Sequence, residues 1–229
     1  MSRRRAALAG LVLALAAGAA QAQVAGSVTL ASDYRLRGFS LTDRRPALSV
    51  SAAYDAASGL YAGGTVIAED AEGRGVRVLG HMEYAGYAWR SGGRSFDVGL
   101  NNVELRLARS RIIEIDYTEV YAGVAVDNLS ARLAVAPNYP RHGMETFYLN
   151  VAGVWRPAEQ WRVSAAAGAT ARTGDYPGFD DRRRLYDVRL GVTRAFERGE
   201  LSLSGVAVLP SALGRTSRAG LVLGATVFF

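Results

Sequence analysis

The 229-residue chain has no cysteine and no lysine, only two histidines, and no apolar run of helix length beyond its first 22 residues. Without thiolates, and with only His81 and His142 as imidazoles, a zinc-type site lacks ligands. No Walker sequence or glycine-rich phosphate cradle is present, and no Gly-x-Ser-x-Gly element marks a hydrolase nucleophile. Neither a metal nor an organic cofactor is expected. The missing helix-length run excludes helical membrane spans in the body of the chain, since each needs about 20 apolar residues. Yet mean hydropathy is slightly positive. Apolar residues spread over short alternating segments are how a membrane β-barrel carries such a composition.

The N-terminus is of a different kind. Arg3, Arg4 and Arg5 precede an Ala, Leu, Val and Gly run over 6–20, and Ala20-Gln21-Ala22 offers a small-x-small cleavage pattern. This reads as a secretory signal peptide over 1–22, with a mature chain over 23–229. Three of the 27 basic residues belong to that leader, which leaves 24 against 21 acidic groups, a mature net charge of +3. The high isoelectric point therefore gives no support to a nucleic-acid partner.

Period-two alternation divides the mature chain into about twelve strands, with eight or ten as the alternatives. They fall near 26–37, 46–55, 60–68, 76–89, 95–107, 115–126, 129–136, 145–155, 161–171, 185–196, 200–209 and 219–229. Connections alternate between short ones (56–59, 90–94, 127–128, 156–160 and 197–199) and longer ones (38–45, 69–75, 108–114, 137–144, 172–184 and 210–218). Short periplasmic turns and longer extracellular loops are the layout of an antiparallel up-and-down outer-membrane barrel. Its strands present Leu221, Leu223, Ala225, Val227 and Phe229, or Tyr186, Val188, Leu190 and Val192, on one face. In 95–107 the apolar parity changes between Leu100 and Val103, so a β-bulge is expected at Asn101-Asn102.

Tyr54, Phe96, Trp155, Trp161 and Phe196 lie on apolar faces near the short turns, as an aromatic membrane girdle would. Phe229, ending an alternating strand, is expected to act as the signal read by the barrel-assembly machinery.

Several stretches resemble the TorF-type porin family: 28–40 (VTLASDYRLRGFS), 46–48 (PAL), 58–63 (SGLYAG), 116–124 (DYTEVYAGV), 129–131 (LSA) and 137–139 (PNY). The resemblance spans most of the mature chain and is clearest over 28–139. Leu41-Thr42-Asp43 departs from that pattern, which carries a glutamine there. The resemblance implies an outer-membrane barrel with porin activity and names no substrate.

A charge facing lipid at the midplane costs about 2–4 kcal/mol for arginine, so charged residues of the strands are assigned to the lumen. They are Asp33, Arg35, Arg37, Glu83, Glu104, Arg106, Glu119, Arg132, Arg162, Asp187 and Arg189, with Asn150 beside them. The bulge decides Glu104 and Arg106: without it they face outward. Such a lumen would pass small polar solutes, and the alternative is a barrel plugged by its own salt bridges. Loop clusters at Arg44 and Arg45 and at Arg182, Arg183 and Arg184 would gather anions or meet lipopolysaccharide phosphates. A barrel lipid hydrolase, which would need His81 or His142 as base, is the least favoured alternative.

Overall fold

The computed structural model describes residues 23–70, 75–108, 112–139, 143–173, 184–209 and 219–229. The leader, Arg182, Arg183 and His142 lie outside the described residues. Alternation of outward apolar and inward polar side chains produces β1 (Gln23–Ala31), β4 (Ala47–Asp55), β5 (Leu60–Asp70), β6 (Val76–Ser91), β7 (Arg94–Ala108) and β8 (Ile112–Val126). It continues through β9 (Leu129–Ala136), β10 (Thr146–Ala158), β11 (Trp161–Arg172), β12 (Arg184–Phe196), β13 (Gly199–Leu209) and β14 (Gly220–Phe228). Two short strands, β2 (Arg35–Leu36) and β3 (Phe39–Ser40), pair only with each other.

The other twelve strands pair antiparallel with their chain neighbours and close where β1 meets β14. Closure satisfies the backbone groups that lipid cannot, because no sheet edge is left open. At the seam, the Gly26 and Phe229 backbones exchange N–H···O bonds of 2.8 and 3.0 Å. The Phe229 ring lies over Gly26, where a Cβ would stand 2.4 Å from it and push the ring aside. No helix among the described residues is long and apolar enough to cross a membrane.

All the short turns lie at one end of the barrel, where Gln23 pairs beside Asp55 and Phe228 bonds to Arg198. The β6–β7 turn has Gly92 and Gly93 at φ 57° and 75°, the left-handed pair that a two-residue hairpin demands. Outward Leu190, Leu201, Leu203, Leu221, Leu223 and Val227 are exposed, as a lipid-facing band requires. Tyr54, Phe96, Trp155, Trp161 and Phe196 all face outward near the turns. Tyr87 and Trp89 extend this belt, with Trp89 stacked on Phe96 at 5.5 Å.

Two features depart from the sequence expectations. First, β1 ends at Ala31, and residues 32–46 turn into the barrel instead of prolonging the strand. Second, β7 pairs without a shift against both β6 and β8. There is no bulge at Asn101-Asn102. Val103 and Leu105 therefore face inward, 0% and 2% exposed, and pack with Leu41, Ile67, Leu79, Tyr117 and Ala136. The register shift occurs instead between Ile67 and Ala68, opposite Leu79. There Gly80, at φ 146°, passes so close to the Glu104 carbonyl that a Cβ would overlap it. That shift brings both Ile67 and Leu79 into the interior core. Burying a Leu or Ile stabilises by about 1.5–3 kcal/mol.

Candidate functional site

The interior has two unlike halves. At the loop end, residues 32–46 cross the lumen and touch opposite walls. Tyr34 reaches Met82 on β6, and Ser32 bonds to the Leu223 backbone on β14. Gly38, at φ 81°, is wedged against Val208 and Asp187 so closely that a Cβ would lie 2.5 Å from Val208. The segment is braced from within. Asp33 accepts from Arg35 (2.6 Å), Ser40 (2.6 Å) and Thr42 (3.1 Å), and all four acceptor–donor groups are shielded from water. Buried inward side chains surround it on the barrel wall, from Ala47, Ile67 and Leu79 through Thr146 and Thr170 to Val208 and Val222.

Arg37 occupies the tip of the β2–β3 hairpin at φ 47°. Its guanidinium bonds to Glu119 on β8 and lies 4.3 Å from the Tyr148 ring and 5.8 Å from those of Tyr117 and Tyr139. Burial alone would push the guanidinium down, but Tyr117, Glu119 and Tyr139 hold it above the ordinary arginine range. Burial pushes the Tyr34 phenol up, opposed by Arg189. Arg45 turns down onto Glu69 (3.3 Å), which also binds Arg77. It is thus a strut of the interior, contrary to its expected place in an exposed anion-gathering cluster. Arg44 and Arg184 are exposed.

At the turn end the lumen is wet. Arg132 on β9 bonds Asp97 on β7 at 2.7 Å and lies 4.4 Å from the Tyr121 ring, with 54% of its side chain exposed. Tyr61 donates to Asp97 (3.3 Å) and shares a 2.7 Å contact with the Tyr121 hydroxyl. Inward glycines make room for these rings: Tyr61 lies over Gly86 and Tyr121 over Gly99, each at 2.5 Å from where a Cβ would stand. Arg162 bonds Glu200 near the turns. Nearer the loop end, Asp187 accepts from Tyr148 (3.4 Å), with Arg189 two residues along the same inward face and Asn150 next to Tyr148.

Among the residues assigned to the lumen by sequence, Glu119, Arg132, Asn150, Arg162, Asp187 and Arg189 therefore face inward from the wall. Asp33, Arg35 and Arg37 reach the interior from the crossing segment. Glu83, Glu104 and Arg106 do not: the unbroken register of β7 turns them outward. They sit near the loop end with His81, whose Nε2 lies 3.5 Å from Glu83 and 3.8 Å from Glu104. On strands rising about 3.3 Å per residue at a tilt of about 40°, Glu83 stands roughly 23 Å above the β6–β7 turn. The apolar band is about 25 Å tall and begins at the aromatic belt, so Arg106 and Glu104 lie toward its upper edge, roughly 25 and 20 Å above Phe96, and Glu83 deeper, roughly 15 Å above Trp89. His81 and Glu104 line an outer hollow of about 290 Å³ that includes no serine or threonine.

Asp97, Tyr61, Glu200 and the Glu69 cluster escaped the sequence reading. Asp97 carried a usable signal, since it alternates with the outward Phe96 and Val98.

Comparison with solved structures finds porins. The chain overlays the NanC porin with a TM-score of 0.56 at 8% identity, covering 89% of this chain and 98% of that one. It overlays the KdgM porin with a TM-score of 0.51 at 9% identity, covering 90% and 98%. These likenesses establish the fold, a closed twelve-stranded barrel of the outer-membrane type. A search of curated proteins finds no match. A family model matches residues 15–209, and the chain belongs to that family, Gcw_chp, bacterial proteins of unknown function.

Proposed function

We propose that the protein is a narrow outer-membrane channel for small polar solutes, with residues 32–46 forming its constriction. The observation that carries this reading is the division of the interior. A wet, polar lumen at the turn end leads up to a segment held across the bore by Arg37 and Glu119. The structural likeness to the NanC and KdgM porins and the resemblance of 28–139 to TorF-type porins support it. In this reading the 1–22 leader directs export, Phe229 presents the last strand to the assembly machinery, and Arg44 and Arg184 meet lipopolysaccharide at the outer surface. Short turns then face the periplasm.

The buried ring around residues 32–46 favours a second reading, a barrel corked by its own chain. Planar-bilayer recording separates the two, using the refolded 23–229 chain and a variant in which 35–40 is replaced by a short glycine linker. The channel reading expects small discrete steps from the native chain and larger ones from the variant. Silence from the native chain beside steps from the variant means a cork. Silence from both, in barrels shown to be folded and inserted, refutes the channel.

A further inference from the structure

The turn-end half of the lumen carries a second pattern. Around the barrel, β9, β8 and β7 stand half a turn from β1, β14 and β13. The first wall presents Arg132, Asp97 and Tyr121, tied into one network by Tyr61, which reaches over from β5. The second presents hydroxyls. Thr29 and Thr226 share a 2.9 Å contact across the seam, Ser202 reaches the Gly224 carbonyl at 3.5 Å, and beside this wall Ser51 on β4 and Thr65 on β5 share a contact of 2.8 Å. All five of these hydroxyl side chains are partly open to solvent.

The chemistry of the two walls is complementary to one kind of solute. A hydroxyl has one donor and two acceptor sites, and a guanidinium has five N–H donors. Each hydroxyl pair therefore keeps capacity facing the lumen, as does Arg132 after bonding Asp97. The charges nearest the turns, however, are already matched, Arg132 with Asp97 and Arg162 with Glu200, and the inward Arg189 lies higher on β12, beside Asp187. A charged solute entering this space would lose hydration without finding an uncommitted counter-charge. A neutral solute bearing many hydroxyls loses less and meets donors and acceptors on both sides, with the partly open Tyr61 ring offering apolar surface to its C–H faces.

We infer that the periplasm-facing half of the lumen is a binding site for neutral polyhydroxylated solutes, of the sugar or polyol class, held between the Arg132–Asp97–Tyr121 wall and the Thr29–Thr226 hydroxyls. This deepens the channel reading by naming its solute class. Its test reads binding rather than conduction, so either can fail alone.

The experiment is saturation-transfer NMR on the refolded barrel in a zwitterionic detergent without a sugar headgroup, titrated with sucrose. Sodium gluconate and glucosamine hydrochloride serve as charged probes. Sucrose is expected to give saturable transfer and to bind more tightly than either charged probe. Thr29→Val with Thr226→Val keeps side-chain shape while removing both hydroxyls, and should weaken sucrose about tenfold, the worth of one or two hydrogen bonds. Barrels that fold, by gel mobility, but give no sucrose transfer overturn the inference. So does tighter binding of gluconate or glucosamine, or an unchanged affinity in the double valine variant.

Discussion

A guanidinium inside a barrel is costly unless its charge is met, and Arg37 meets Glu119 through Nη2 and lies against three tyrosine rings, while its buried Nη1 finds no hydrogen-bond partner among the described residues. Glu119 is itself buried, so each member of the pair depends on the other. Replacing one partner of a buried pair leaves an uncompensated charge, at a cost of about 3–5 kcal/mol. Arg37→Met should therefore destabilise the folded barrel by about that amount in urea unfolding from lipid vesicles. Adding Glu119→Gln to the same chain should restore most of the loss, because the stranded charge is then gone. A single variant as stable as the native chain would mean that Arg37 merely lies in the lumen. The same residue shows why the sequence could not reveal the site in full. Arg37 reads as one more inward charge of a strand, whereas its partners on β8 and β10 are distant in sequence and meet it only because 32–46 folds inward.

Individual strands were far more legible. Outward residues meet a uniform solvent, lipid, and so obey period two with little exception; β9, β11, β12 and β14 follow the expected faces residue for residue. The inward face has no such uniformity. β7 illustrates the difference, since Val103 and Leu105 are apolar yet face inward onto Leu41 and Tyr117. A rule that assigns apolar residues to lipid must then invent a bulge, and it places Glu104 and Arg106 on the wrong side. Their outward position is tolerable only because β6, β7 and β8 are long: 16 residues of β6 rise roughly 40 Å at a tilt of about 40°, well beyond a band of about 25 Å. Depth can be tested by exchange of side chains. Leu223→Arg, at mid-height of β14, should cost about 2–4 kcal/mol of stability in vesicles. Glu104→Leu should change it by less than about 1 kcal/mol, as expected near an interface. A clear gain of stability from Glu104→Leu, opposite in sign to the loss at Leu223, would place Glu104 within the hydrocarbon.

For the molecule as a whole, the division of the interior links stability to selectivity. The loop-end half is a packed core and the turn-end half is solvated. The charges of both halves come in opposite-sign neighbours: Arg35 with Asp33, Arg37 with Glu119, Arg132 with Asp97, Arg162 with Glu200. A lumen so matched exerts little net field on a passing ion, so the native channel should show a reversal potential near zero under a tenfold KCl gradient. Replacing 35–40 by glycine removes Arg35 and Arg37 together but leaves Asp33 and Glu119 behind. The widened bore then carries uncompensated carboxylates, whose field concentrates cations, and the reversal potential should move toward that of potassium. Restoring neutrality with Glu119→Gln in the same variant should return part of that shift while keeping the larger conductance. A widened channel that stays unselective would show that these carboxylates do not face the path of the ions. The crossing segment would then control only the size of the bore, not its charge.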